Sequence, residues 1–217
     1  SNIIKFNKNN LIKTINSLKK NNIVGLPTET VYGLAGNAYS EKAIKKIYAL
    51  KRRPNFNPLI IHYYDLKDAK KDVLFNKDFL KLYKMFCPGP ITFVLKKRKD
   101  SQINVASSSN LSTAAIRFPN NLIIRELLKK ISFPLAIPSA NKSTRVSSVS
   151  ADNVAEEFKK ELKIIIDGGN SKIGIESTVI DLSGKIKILR PGIISPQEIG
   201  KVLKKKIPLI KKHSNIT

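Results

Sequence analysis

Apolar positions along the chain switch repeatedly between two periods. Leu11, Ile12, Ile15 and Leu18 recur at helical spacing, and the unbroken apolar run 23–26 that follows reads as a buried strand. Ser40 is placed to cap a helix whose face carries Ala43, Ile44, Ile47 and Tyr48. Residues 59–62 form the next strand. Two helical stretches follow, one with Leu66, Ala69 and Val73, the other with Phe79, Leu80, Leu82, Tyr83 and Phe86. Pro88-Gly89-Pro90 breaks the chain before a strand over 91–95.

The alternation continues with a strand at 113–118, a helix at 122–131 and a strand at 133–137. Val154, Phe158 and Leu162 make a helical stripe, and 164–166 is a strand again. Segments 178–182 and 186–189 predict a hairpin through Ser183-Gly184. Ser195-Pro196-Gln197-Glu198 has the order of a capped helix start, with Glu three residues after the cap. The pattern predicts one α/β domain over residues 1–209. The lysine-rich end, 210–217, lacks a core pattern and is expected to be a tail or a truncated inter-domain linker. Strand order is not legible from periodicity.

Composition narrows the class. With 41% hydrophobic and 26% charged residues the chain is that of a globular domain, and no apolar run nears the ~20 residues that span a bilayer. A single cysteine, Cys87, rules out an internal disulfide, and with two histidines no zinc-like spacing arises. A reducing, cytoplasmic setting and a buried, unreactive Cys87 are expected. The net charge of +24, from 40 Lys+Arg against 16 Asp+Glu, favours anionic partners. The Lys, Asn and Ile bias is equally what AT-rich codons would produce.

Polar residues gather beside the apolar strands, where an open α/β sheet places its ligand crevice. The groups are Pro27-Thr28-Glu29-Thr30 with Gly33; Lys51-Arg52-Arg53 with Asn57 and His62; Thr113 to Arg117; Ser139-Ala140-Asn141 with Ser147; and Glu176-Ser177 with Arg190. Each has an ordinary alternative. Thr28 or Thr30 is suited to capping, the cations to a helix C-terminus, and His62 to a satisfied core position. Arg117 within an apolar strand needs an anion, either a protein carboxylate or a substrate carboxylate. No P-loop, dinucleotide-binding or kinase signature is present.

Taken in order, Pro27 to Leu34, Lys51-x-Arg53-Pro54, Asn57-Pro58-Leu59 with His62, Pro88-Gly89-Pro90 with Thr92, Arg117, Ser139-Ala140-Asn141 and Glu176-Ser177-Thr178-Val179 closely resemble the YrdC/TsaC family of L-threonylcarbamoyladenylate synthases. The likeness runs from about residue 12 to about residue 203. Thr144 stands where the family often has Gly, and Cys87 where an aromatic is common.

The resemblance implies a YrdC-like twisted mixed sheet flanked by helices, with a concave basic face. It implies formation of threonylcarbamoyl-AMP and pyrophosphate from L-threonine, bicarbonate and ATP with Mg²⁺, for modification of tRNA by downstream transfer machinery. On that pattern Thr30, His62, Arg117, Ser177 and the backbone at Ile137 contact L-threonine. Arg53, Asn57, Thr113, Ser139, Ser147 and Arg190 contact ATP, and Lys51 and Arg53 act in catalysis, with Lys51 beside the phosphates or the threonine carboxylate. The alternative is a non-catalytic module for double-stranded RNA or tRNA.

Overall fold

Short apolar strands separated by amphipathic helices bury both sides only by sharing a sheet between helix layers. The computed structural model, which describes residues 2–209, builds that arrangement. Its strands are β1 (Ile3–Lys5), β2 (Val24–Leu26), β3 (Gly33–Asn37), β4 (Ile60–His62), β5 (Ile91–Lys96), β6 (Thr113–Arg117), β7 (Leu135–Ala136), β8 (Ile165–Asp167), β9 (Thr178–Asp181) and β10 (Lys187–Arg190). They form one mixed sheet in the order β1-β8-β2-β3-β7-β4-β6-β5-β9-β10. The pairs β1/β8, β8/β2, β4/β6 and β5/β9 are parallel, and the other neighbours antiparallel.

The helices are α1 (Lys8–Lys19), α2 (Glu41–Lys51), α3 (Leu66–Ala69), α4 (Lys77–Phe86), α5 (Leu122–Lys130), α6 (Ala151–Phe158) and α7 (Pro196–Leu203). Helix α1 buries Leu11, Ile15 and Leu18 with Ile124, Leu127 and Leu128 of α5. A larger cluster joins α2, α4, α6 and α7, with Phe79, Phe93, Ile116, Phe118, Ile180 and Ile199 among its members. Ser40, Asn76, Asn121, Ser150 and Ser195 each accept a backbone N–H at a helix start, and at Ser195 the reciprocal Glu198 bond completes a capping box.

Several expectations shift. Ile12 lies on the outer side of α1, half exposed. The helix expected through Val73 ends at Ala69, and the α6 stripe ends at Phe158 before a short 3₁₀ turn at Lys159–Glu161. The tail 210–217 lies outside the described residues.

In β4, β5, β6 and β9 burial alternates with the two-residue period of a strand. Ile61, Phe93, Leu95, Ala114, Ile116 and Ile180 face the large cluster. Their neighbours Ile60, Val94, Ala115 and Val179 are only half-buried and look out from the opposite face. That uncovered stretch of sheet carries the site.

Candidate active site

The half-buried apolar positions form the floor of a solvent-open cleft of about 200 Å³. The expected crevice at the strand ends is present, with Thr28 and Thr30 after β2, Ser139 after β7, and His62 and Arg117 ending β4 and β6, and the cleft also extends across the sheet face. Ile60 and His62 of β4, Ala115 and Arg117 of β6, Val94 of β5 and Val179 of β9 follow one another at every second position. Thr30, Arg53, Ile137, Ser139, Ser177 and Arg190 close the walls.

At one end the register sets His62 directly beside Arg117. Arg117 is buried, and its Nη2 donates to Glu29 Oε1 at 2.7 Å while its Nη1 donates to Thr30 Oγ1 at 2.9 Å. Glu29 thus supplies the carboxylate that a buried strand arginine requires, a partner present in the motif but not among the residues expected at the site. Thr28 Oγ1 donates to Val31 O at 2.7 Å, so in its 2.9 Å bond with Thr30 the Thr30 hydroxyl is the donor. Thr30 therefore has no hydrogen left and can only accept from a ligand.

His62 is fixed by the same reasoning. Burial, and then the Arg117 guanidinium, push its pKa well below 6.5, against a smaller upward pull from the Ile60 carbonyl. The ring is neutral, Nδ1 donates to Ile60 O at 3.2 Å, and Nε2 is left as an acceptor. Three buried polar atoms have no hydrogen-bond partner among the described residues, and all belong to this end: Glu29 Oε2, His62 Nε2 and Arg117 Nε. Buried orphans of this kind mark a place where a ligand completes the bonding.

Arg53 lies in the turn just after α2, donating from Nε to Asn57 O and from Nη2 to Pro58 O, both at 3.1 Å. These are neutral partners, and among the described residues no carboxylate pairs with it. Ser177 joins the two ends. Its Oγ is 2.7 Å from Thr92 Oγ1 and accepts from Arg190 Nη2 at 3.1 Å, while Arg190 also pairs with Glu176. Burial lowers Arg190 to about 10, and the fields of Arg117 and Arg53 add to the effect.

Four expected site residues do not line the cleft. Thr113 shares the face of Ala115 and Arg117 but lies beyond the lining, at the far end of β6. Asn57 contributes its backbone carbonyl to Arg53. Ser147 Oγ donates to Glu176 Oε1 at 3.2 Å. Lys51 is 1% exposed, and its Nζ donates to the carbonyls of Ser139 (2.6 Å) and Asn141. It therefore braces the loop behind Ser139. Burial, and then Arg53, lower Lys51 to about 7. Thr144 in that loop has φ 74°, a left-handed conformation that glycine adopts more readily. Burial pushes the Cys87 thiol up to about 12, which suits packing and not nucleophilic attack.

An α/β domain with amino-acid-like complementarity at one end of a sheet face and uncompensated arginine at the other defines the class. The chain belongs to the Sua5/YciO/YrdC family: residues 16–192 match that family's model, described as telomere recombination. Threonylcarbamoyl-AMP synthase of Pyrococcus abyssi is 42% identical over 190 residues, covering 86% of this chain and 55% of the relative. The Bacillus subtilis threonylcarbamoyl-AMP synthase is 38% identical, covering 86% and 54%. The chain thus spans about half the length of these curated relatives. A crystal structure of P. abyssi Sua5 complexed with L-threonine superposes with a TM-score of 0.90 and 37% identity, over 96% of this chain and 62% of that one.

Proposed function

We propose that this chain is the domain that forms L-threonylcarbamoyl-adenylate and pyrophosphate from L-threonine, bicarbonate and ATP, for modification of tRNA in the cytoplasm. The observation that carries this reading is the pairing of two chemically different ends on one sheet face. Around Arg117, spare N–H donors suit a carboxylate, while His62 Nε2 and Thr30 Oγ1, both acceptors, suit an amine and a hydroxyl. Arg53 and Arg190 suit phosphates. Relatives named threonylcarbamoyl-AMP synthase, and one solved with L-threonine, support it.

In this reading the amine nitrogen of L-threonine attacks the bicarbonate carbon, water leaves, and N-carboxy-threonine forms. Its new carboxylate oxygen then attacks the α-phosphorus, and the bond to the β-phosphate oxygen breaks to release pyrophosphate. His62 Nε2 orients the amine by accepting one of its hydrogens, and Arg117 holds the original carboxylate. Ser177 and Arg190 lie at the junction, where the attacking oxygen meets the α-phosphate. Arg53 offsets charge on the leaving pyrophosphate, and Ser139 lines the same cleft. Thr113, Asn57 and Ser147 extend the nucleotide end, and Ile137 packs beside the amino acid. Lys51 acts from behind the Ser139 loop. Positioning and charge neutralisation are what such chemistry needs.

Among the described residues no group of three or more His, Cys, Asp and Glu is placed to hold a metal. The carboxylates nearest the cleft, Glu29 and Glu176, are both bound to arginines. Mg²⁺ fits this chain as a partner of the nucleotide, where phosphate oxygens would hold it and it would offset triphosphate charge.

The test is pyrophosphate release with ATP, Mg²⁺ and bicarbonate, with L-threonine present or omitted, L-serine as the control, and mass spectrometry of the product. Release that depends on L-threonine and bicarbonate, with the adenylate mass, is expected. Binding of RNA without any such turnover would favour the non-catalytic module instead.

A further inference from the structure

The carboxylate that neutralises Arg117 lies behind the cleft, not in it. Glu29 is 11% exposed at its side chain and does not line the cleft, yet its Oε1 is 2.7 Å from Arg117 Nη2. Its other oxygen, Oε2, is buried and has no partner among the described residues. The turn that carries it is held firmly. Ile173 and Gly174 donate their N–H groups to the carbonyls of Glu29 and Thr30 at 3.0 and 2.9 Å, and Ser171 Oγ donates to Thr28 O at 3.0 Å. Glu29 is a fixed anion.

That anion divides the cleft electrostatically. A phosphate arriving at Arg53 meets a guanidinium whose partners are the neutral carbonyls of Asn57 and Pro58. At Arg117 it meets a charge already offset by a carboxylate in contact, with a second buried oxygen to repel it. A zwitterion is treated differently. Its carboxylate takes the remaining Arg117 N–H groups, while its ammonium side faces the acceptors His62 Nε2 and Thr30 Oγ1.

We propose that Glu29 is the positioning residue that assigns the two ends. It fixes the Arg117 guanidinium and holds the amino-acid end near neutrality, so that phosphates are drawn to Arg53, whose partners are neutral carbonyls. This assignment rests on the amino-acid site proposed above. Without Glu29 the cleft presents two uncompensated arginines, Arg53 and Arg117, and pyrophosphate competes for the place of the amino acid.

Two substitutions separate geometry from charge. Glu29→Gln keeps an oxygen acceptor for Arg117 Nη2 and removes the charge, and Glu29→Ala removes both. In the unaltered protein pyrophosphate is expected to compete with ATP and not with L-threonine. In Glu29→Gln it becomes a competitor of L-threonine as well, with its affinity for the amino-acid end raised about tenfold, the size expected from one neighbouring charge in a partly screened site, so that KM for L-threonine rises with pyrophosphate concentration. Glu29→Ala raises that KM even without pyrophosphate, with KM for ATP unchanged. Thermal melting checks that both variants fold. A folded Glu29→Gln protein in which pyrophosphate still competes with ATP alone would overturn the proposal. Calorimetry keeps the two readings apart. If the unaltered protein binds no L-threonine, the synthase reading fails, and pyrophosphate titration still decides this one. Added pyrophosphate binding in Glu29→Gln sustains the charge division, whereas identical stoichiometry and affinity refute it.

Discussion

Lys51 shows how burial changes what a residue can do. Its ammonium is enclosed by the carbonyls of Ser139 and Asn141, and burial with the nearby Arg53 brings its pKa from 10.5 to about 7. Between those values the unfolded chain binds the extra proton, so the contribution of Lys51 to stability rises with pH. It is absent below about 7 and complete above 10.5. The stability of the unaltered protein relative to Lys51→Met should therefore climb by up to about 1.4 kcal/mol per pH unit from pH 7.5 towards 10. Denaturant unfolding of both proteins at several pH values checks this, and a difference independent of pH would show that the amine stays charged. The sequence showed Lys51 as one of three adjacent cations, and both proposed uses, helix end and phosphate clamp, assumed exposure. Periodicity did carry the true answer: Ala43, Ile44, Ile47, Tyr48 and Lys51 share the buried face of α2. For Arg117 the demand for an anion was legible from its apolar strand, whereas the identity of Glu29 required knowing which turn lies over β6.

At the scale of elements, what periodicity could announce it did announce. The strands at 91–95 and 113–118, the helix at 122–131 and the capped start at Ser195 all appear where expected. Strands β1 and β3 were not foreseen. β1 is three residues, too short for any period, and exists through its parallel pairing with β8. β3 reads Gly-Leu-Ala-Gly-Asn, a composition depleted in strands, and its first glycine is dictated by space: a Cβ on Gly33 would meet Ile137 Cγ2 at 2.2 Å. Strand order depends on such distant contacts and is invisible locally. Gly192 makes the point testable. A Cβ there would meet the backbone N of Thr178 at 2.4 Å and the carbonyl of Glu176 at 2.7 Å, and backbone cannot step aside as a side chain can. Gly192→Ala should destabilise by about 2–3 kcal/mol and displace the start of β9 with Ser177 and Arg190. A matched loss of melting temperature and of nucleotide binding is the expected result. Unchanged melting would mean that the 191–194 turn has room to shift.

For the molecule as a whole, unpaired positive charge outweighs every local ion pair. If every one of the 16 acids met a cation, 24 of the 40 Lys and Arg would remain without one. Many pairs that do form are surface contacts such as Lys45 with Glu41 and Lys71 with Asp68, each worth little against that excess. A compact chain with such a charge repels itself, more so at low ionic strength. The cleft concentrates the effect, because Arg53, Arg117 and Arg190 converge there and, among the described residues, Glu29 and Glu176 are the carboxylates paired with them. Added salt should therefore stabilise this protein, with the melting temperature rising from about 20 mM to about 0.5 M NaCl as the screening length shortens. Pyrophosphate should match that gain at millimolar concentration, since it both screens and occupies the arginines. Melting scans across the two titrations distinguish the causes. Equal efficiency of the two salts at matched ionic strength would place the repulsion on the outer surface, and a falling melting temperature in NaCl would show that ion pairs outweigh the excess charge.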